Sequence, residues 1–276
     1  MGYVSKKALF LDLDGTLLTD DKRIPEENRA AIDEMLAQGH SVIIASGRPL
    51  VSTVFQAEKL GLTSEGCYLI AFNGGILYDT AKRKVIYKST LPLDIVTRCF
   101  REAEKRGIHI QTYSEDRVLV EPRCDNDIVR LYCSRILMEH EVIPDISMLR
   151  EEPVKMLIID LSDPTPLEEF RKWIASWAEG EIDTFFSSNE YCEIVNTGLN
   201  KGNALRQMAE LIEIDISDTV AAGDAPNDIA MIEAAGLGCA MSNATDDVKQ
   251  VAGYVTVKDN NNSGVAEILR KFILSG

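Results

Sequence analysis

The chain has 276 residues, a mass of 30.6 kDa and 45% apolar residues, which suffices for one large or two modest domains and argues against disorder. Its 29 basic and 44 acidic residues give a formal charge of −15, which excludes bulk electrostatic binding to nucleic acid. No apolar run approaches the roughly 20 residues that span a bilayer, and the first residues lack a secretory signal. We therefore expect a cytoplasmic protein with six free thiols, because no cysteines form a CxxC pair.

The first predicted strand, residues 8–11, is a continuous apolar run, which is typical of a strand buried on both faces of a parallel sheet. A helix follows, with Pro25 in its first turn and Gly39 at its end. Alternating strands and helices predict a doubly wound, mostly parallel, Rossmann-like α/β sheet with helices on both faces. The further strands of this sheet are predicted at 42–45, 68–72, 219–222, 238–241 and 254–257.

The middle of the chain has a different pattern. Its predicted strands look half-buried, and helical stretches at 94–106 and 165–178 separate them. We therefore predict an α+β domain at 83–192, inserted into a catalytic core formed by residues 1–82 and 193–276.

Polar side chains follow the predicted strands at their carboxyl ends, where an open parallel sheet binds its ligands. Each of them alone also has a structural interpretation, since Asp-Gly is a common turn and Ser or Asp often caps a helix. The combination nevertheless predicts one shared site. Its members are Asp12, Asp14, Ser46, Asp224, Asn227 and Asp228, together with Lys201 at the start of a predicted helix.

This set of residues suits phosphoryl chemistry. Asp12 and Asp14, two apart at a strand end, would point the same way and repel each other unless a hard divalent cation such as Mg²⁺ lies between them. Lys201 opposes the helix dipole unless an anion is bound there. A cation, an ammonium, a hydroxyl and free N–H groups around one point predict a phosphate site. Asp12 can then attack phosphorus, and Asp14 can act as acid and base.

The motifs resemble those of the haloacid dehalogenase-like phosphatases in their expected order. Asp12-Leu13-Asp14-Gly15-Thr16 resembles the first motif, Ser46 the second, Lys201 the third and the segment 223–228 the fourth. Further details are similar to the Cof-type subfamily across essentially the whole chain. They are Ser46-Gly47-Arg48, Asn73-Gly74-Gly75, Glu193-Ile194, Lys201-Gly202 and Asn262-Ser263-Gly264-Val265-Ala266.

The resemblance implies a role for each motif residue. Asp12 would be the nucleophile and a Mg²⁺ ligand, and Asp14 would be the acid/base and bind the metal through its backbone carbonyl. Asp224 would be the third protein ligand, and Asp228 would support the metal waters. The phosphate would be held by Ser46, Gly47 and Lys201, with Asn227 contacting substrate or phosphate. The roles of Arg48 and Asn73 stay open, and the inserted domain would be the large cap of the subfamily.

The leading hypothesis is a Mg²⁺-dependent phosphatase for small phosphorylated metabolites, such as sugar phosphates or phosphorylated cofactors. A sugar phosphomutase with the same covalent intermediate is one alternative, and a non-catalytic regulator that binds sugar phosphates is another. The intact carboxylates disfavour the regulator, since binding alone needs no nucleophile. We expect no nucleic-acid, membrane or obligate protein partner, and the sequence leaves the substrate and the oligomeric state open.

Overall fold

The computed structural model describes residues 6–274. Its strands are β1 (Ala8–Leu11), β2 (Ser41–Ala45), β3 (Cys67–Ala71), β4 (Ile76–Asp79), β5 (Lys84–Lys88), β6 (His109–Tyr113), β7 (Arg117–Val120), β8 (Glu139–Val142), β9 (Lys155–Ile159), β10 (Ile182–Ser188), β11 (Tyr191–Asn196), β12 (Thr219–Gly223), β13 (Leu237–Ala240) and β14 (Tyr254–Val255). Its α-helices are α1 (Glu26–Ala37), α2 (Leu50–Lys59), α3 (Leu93–Arg106), α4 (Asp127–Ile136), α5 (Thr165–Ala178), α6 (Lys201–Leu211), α7 (Ile229–Ala234), α8 (Asp246–Val251) and α9 (Gly264–Phe272).

The first sheet has the strand order β14-β13-β12-β1-β2-β3-β4-β5. The pairs from β14 to β3 are parallel, and β4 is antiparallel to β3. Its strands are buried on both faces: Leu9 and Leu11 pack into one apolar cluster with α1 and α9, whereas Phe10 packs into another with α6 and α7. The prediction of a doubly wound, mostly parallel α/β sheet is therefore confirmed.

The second sheet has the order β10-β11-β9-β6-β7-β8 and is mainly antiparallel. One of its faces packs against α3 and α5, through side chains such as Phe100, Phe170 and Ile158. On the opposite face lies α4, whose Tyr132 hydroxyl is 2.6 Å from the Tyr113 hydroxyl of β6.

The described chain divides into two compact units. The first takes in the chain up to Gly47, residues 53–87 and the chain from Asn200 onward, and the second takes in 48–52 and 88–199. The inserted domain was predicted at 83–192. Strand β11 runs on to Asn196 and pairs with β9 and β10, which is why the second unit extends past the predicted end.

All six cysteines lie within the described part of the chain, and each is buried and unpaired. Burial raises the pKa of the Cys99, Cys192 and Cys239 thiols to about 12, so these groups are packing residues rather than nucleophiles. Among the helices of residues 6–274, none has the length and apolar character needed to cross a bilayer.

Candidate active site

The sheet brings Asp12 and Asp224 to the same edge. Asp12 directly follows β1 and Asp224 directly follows β12, and these two strands are parallel neighbours. The ladder continues one residue past β1, where the Asp12 N–H donates to the Ala222 carbonyl at 3.1 Å. Because parallel neighbours end at the same edge, both carboxylates are presented at the carboxyl ends of central strands, as the sequence predicted.

Lys201 is the centre of the ion-pair network at this edge. It is the first residue of α6, and the preceding Asn200 caps that helix by accepting from the Asn203 N–H at 2.8 Å. The Lys201 Nζ lies 2.6 Å from Asp12 Oδ1 and 2.6 Å from Asp228 Oδ1. Burial alone would lower the pKa of Lys201, but attraction to the two carboxylates outweighs burial and raises it. The buried side chain is therefore a charged ammonium.

One ammonium does not neutralise this cluster. Asp12, Asp224 and Asp228 each offer a carboxylate oxygen, and these oxygens lie within 4.8 Å of one another. Burial raises the pKa of Asp12 to about 7, against the opposing effect of Lys201 and with a further contribution from Asp228. The pKa of Asp224 is also raised, mainly by burial. A divalent cation bound between these carboxylates would offset their mutual repulsion and favour their ionised form.

The donor set fits a Mg²⁺ ion, with Asp228 in a supporting place. Its Oδ1 accepts from Lys201, and its Oδ2 accepts from the N–H groups of Asp224 and Ala225 at 3.1 Å each. Asp228 is fully buried, so it positions the ammonium and the loop that carries Asp224. Asp12 and Asp224 are then the carboxylates that could hold a metal, and Mg²⁺ takes one or two carboxylates in most protein sites.

Asp14 is outside the group of three carboxylates, although its charge helps to raise the pKa of Asp224. The expectation that Asp12 and Asp14 lie on one strand is wrong, since β1 ends at Leu11 and Asp14 lies in a loop in which Gly15 has a φ of +82°. The Asp14 carboxylate is 41% exposed and lies 2.7 Å from Lys22 Nζ. The sequence analysis missed Lys22, and its only signal was a basic residue soon after the Asp-Gly-Thr turn.

Ser46, Gly47 and Asn73 form the neighbouring part of the edge, after β2 and β3. Ser46 is buried, and its carbonyl accepts a hydrogen bond from the Asn73 N–H at 3.0 Å. A Cβ on Gly47 would lie only 3.0 Å from Asn73 Oδ1, so the glycine gives the Asn73 amide room to pack against the backbone. Asn73 itself has a φ of +55°, an uncommon conformation outside glycine.

Asn227 and Thr16 lie in the segments that follow β12 and β1. Asn227 is exposed in the 3₁₀ turn Pro226–Asp228, outside the group of three carboxylates. Thr16 is fully buried, and its Oγ1 donates to Asp224 Oδ1 at 2.9 Å. The sequence analysis gave Thr16 no role of its own, although its place in the Asp-Gly-Thr motif was a signal for one.

Comparisons with known proteins show which family the chain belongs to. The family model of haloacid dehalogenase-like hydrolases matches residues 9–269. The 5-amino-6-(5-phospho-D-ribitylamino)uracil phosphatase YcsE of Bacillus subtilis is 31% identical over 98% of this chain and 97% of its own. A haloacid dehalogenase-like hydrolase from Bacteroides thetaiotaomicron superposes with a TM-score of 0.85 at 29% identity, over 97% of this chain and 99% of that one. The subclass IIB sugar phosphatase BT4131 has a TM-score of 0.76 at 25% identity, over 97% and 99%.

The chain therefore belongs to the haloacid dehalogenase-like hydrolase family, and the predicted Cof-type membership is confirmed. It is an enzyme, a phosphatase of the haloacid dehalogenase type.

Proposed function

We propose that this enzyme hydrolyses phosphate monoesters of small metabolites with Mg²⁺, through an aspartyl-phosphate on Asp12. The observation that carries the proposal is the contact between the buried Lys201 ammonium and the Asp12 carboxylate, at 2.6 Å, beside Asp224. An ammonium and a cation in this place offset the repulsion between a carboxylate nucleophile and a phosphate anion.

The phosphate group of the substrate and the Mg²⁺ ion bind at the carboxyl ends of the parallel strands of the first sheet. The Ser46 hydroxyl, the Gly47 N–H and Lys201 hold the phosphate, and Asn227 contacts substrate or phosphate. Asp12, Asp224 and the backbone carbonyl of Asp14 would hold Mg²⁺, which neutralises phosphate charge when bound. Asp228 keeps Lys201 and the Asp224 loop in place through its two occupied carboxylate oxygens.

The reaction has two in-line displacements at phosphorus. In the first, an Asp12 carboxylate oxygen forms a bond to phosphorus, the ester P–O bond breaks, and protonated Asp14 gives its proton to the leaving alkoxide. In the second, Asp14 takes a proton from a water molecule whose oxygen attacks phosphorus, so inorganic phosphate leaves and Asp12 is regenerated. The exposed carboxylate of Asp14 suits this exchange of protons, whereas the buried Asp12 suits a nucleophile.

The proposed substrates are phosphorylated sugars or cofactors. This class is supported by two relatives, of which one is named as a phosphatase of a phosphorylated ribitylaminouracil and the other as a sugar phosphatase. An enzyme with a net charge of −15 also fits a small diffusible anion better than a polyanionic chain.

The decisive experiment compares the native enzyme with Asp12→Asn on p-nitrophenyl phosphate and a panel of sugar and cofactor phosphates. Loss of the nucleophile lowers kcat by about a thousandfold or more. The matched control is Asp21→Asn, whose exposed side chain pairs, among the residues that the structure describes, with exposed Arg23 alone, and it retains activity.

Three outcomes contradict the proposal. Full activity of Asp12→Asn excludes the covalent step. Recovery of isomerised sugar phosphate with a bisphosphate activator indicates a phosphomutase, and tight sugar-phosphate binding without turnover indicates a regulator.

The covalent intermediate can also be detected directly. Acid-quenched native enzyme should carry one phosphoryl group on the peptide that contains Asp12, as read by mass spectrometry.

A further inference from the structure

A short turn after β13 contacts both acidic loops of the site. We call residues 241–245 the bracing turn. The Asn243 Nδ2 donates to the Gly15 carbonyl at 2.8 Å, and the Thr245 N–H donates to the Asp224 carbonyl at 3.0 Å. Five residues thus hold the loop of Asp12 and Asp14 and the loop of Asp224 at the same time.

The backbone at Gly15 lies so close to Asp224 that a small shift of it would move the Asp224 carboxylate. Its φ of +82° favours glycine, and a Cβ there would lie 2.7 Å from Asp224 Cγ. The next residue, Thr16, donates its hydroxyl to Asp224 Oδ1. The orientation of the Gly15 peptide therefore sets how the Asp224 carboxylate is placed, and Asn243 holds the carbonyl of that peptide.

The backbone N–H of Asn260 orients the Asn243 amide. The Asn260 N–H donates to Asn243 Oδ1 at 3.2 Å, so both ends of the Asn243 amide have partners. Asn260 is only 3% exposed, and its Nδ2 donates to the Leu18 carbonyl at 2.9 Å. Leu18 forms an isolated bridge with Asp14, so Asn260 also contacts the loop close to the proposed acid/base. A buried amide is retained only where its hydrogen bonds are made.

We propose that Asn243 and Asn260 are positioning residues, which hold the Gly15 peptide and the Leu18 end of the loop so that Asp12 and Asp224 face one Mg²⁺ ion. This inference rests on the proposed function and assigns roles to two residues outside its reacting groups. Each residue donates its side-chain amide to a backbone carbonyl of the acidic loop, and it acts through that backbone.

The test replaces Asn243 by alanine, which removes the donor, and by aspartate, which keeps the shape but points an acceptor at the Gly15 carbonyl. The control is Asn262→Ala, an exposed amide of the neighbouring turn that bonds to Asp259. Mg²⁺ binding is measured by calorimetry in the absence of substrate. The values of kcat and KM are measured with p-nitrophenyl phosphate as the substrate. Melting temperature is recorded for each variant.

Both Asn243 variants should weaken Mg²⁺ binding and lower kcat by about tenfold or more, with KM within about twofold, since orienting partners of metal ligands have effects of this size. Asn262→Ala should match the native enzyme. Unchanged Mg²⁺ affinity and kcat in Asn243→Ala would overturn the proposal, even if the melting temperature fell, since the amide would then be purely structural.

The two proposals fail in different ways. A native enzyme that binds Mg²⁺ but turns over no phosphate ester contradicts the proposed function alone, and the calorimetric comparison of native and Asn243 variants still decides the role of the bracing turn. A native enzyme that binds no Mg²⁺ overturns both.

Discussion

The charge of the Asp12 carboxylate depends on the buried Lys201 ammonium and on the neighbouring carboxylates. The ammonium contacts Asp12 and Asp228 at 2.6 Å, with all three side chains largely removed from water. Even so, the pKa of Asp12 is raised to about 7, because burial and the neighbouring carboxylates outweigh the ammonium. Near neutral pH, protons and Mg²⁺ should therefore compete for the same carboxylate.

The first prediction concerns this competition. With a pKa of about 7, Asp12 is roughly one-tenth ionised at about pH 6 and nine-tenths ionised at about pH 8, so Mg²⁺ affinity should rise about tenfold between them. Calorimetric titration with Mg²⁺ at the two pH values measures the change. In Asp12→Asn the pH dependence should be much smaller, and equal affinities of the native enzyme at both pH values would contradict the argument.

The second prediction concerns Lys201→Met. This substitution keeps the length of the side chain but leaves Asp12 and Asp228 buried without their ammonium, so the free energy of unfolding should fall by about 3–5 kcal/mol. Added Mg²⁺ should restore part of the loss, since it binds only the folded carboxylates. Chemical denaturation with and without Mg²⁺ measures both effects, and exposed Lys172→Met is the control. A Lys201→Met enzyme of native stability would refute the prediction.

The sequence was sufficient to predict those site residues whose position follows from regular structure. Asp12, Ser46 and Asp224 each follow a central strand, and Lys201 begins a helix, so the fold itself brings them to one edge. The positions of Asp14 and Lys22 depend on the conformation of one irregular loop, and hydrophobic patterning carries no information about it. Asn243 and Asn260 were missed for the same reason, since their partners are backbone carbonyls more than 200 residues away.

At the scale of elements, the second sheet contains a buried ion pair of its own. Lys155 on β9 lies 2.7 Å from Glu193 on β11, and both side chains are at most one-tenth exposed. The Lys155 ammonium also lies 5.0 Å from the centre of the Tyr113 ring on β6. Burial lowers the pKa of Lys155, but attraction to Glu193 outweighs burial and raises it. The pair thus joins neighbouring strands, and each charge is tolerated only because the other is present.

The third prediction is a double-mutant cycle on this pair. Lys155→Met or Glu193→Gln alone should each lower the free energy of unfolding by about 3 kcal/mol, because a buried charge or polar group loses its partner. The double variant should lose less than the sum of the two, by about 1–3 kcal/mol. Urea denaturation followed by circular dichroism measures all four proteins. The exposed pair Arg117–Glu139 in the same sheet is the control, and its cycle should give less than about 1 kcal/mol. Strict additivity at Lys155 and Glu193 would contradict the prediction.

The strands of the second sheet also show where sequence patterning fails. β6 has the sequence His-Ile-Gln-Thr-Tyr, and all five residues are buried because its polar side chains bond to one another or to the backbone. Such a strand lacks the apolar alternation that predicts β structure, so it was not found. The apolar strands β1, β2, β3 and β12 were found, because burial on both faces leaves an uninterrupted apolar run.

For the whole molecule, the net charge of −15 opposes the approach of an anionic substrate. The attractive charges proposed for the site lie at one edge of one sheet and act only over short distances in salt. Long-range repulsion should therefore reduce productive encounter at low ionic strength.

The fourth prediction follows from this repulsion. At saturating Mg²⁺, KM for p-nitrophenyl phosphate should fall by about two- to threefold as KCl rises from about 10 mM to about 150 mM, because salt screens the repulsion. Steady-state kinetics measure the change, and potassium acetate in place of KCl separates screening from chloride binding. A KM that rises with salt would show that local attraction dominates.

Both tryptophans of the chain, Trp173 and Trp177, stand on α5 with ring centres 5.2 Å apart, and the guanidinium of Arg98 lies 3.7 Å from the centre of the Trp177 ring. Tryptophan fluorescence therefore originates from one helix of the second unit, whereas the proposed nucleophile belongs to the first. A dye or a fluorinated tyrosine introduced near Tyr68 or Tyr254 would give the first unit a spectroscopic reporter of its own. Without such a label, a Mg²⁺ titration that leaves tryptophan fluorescence unchanged does not show that the carboxylates are unoccupied.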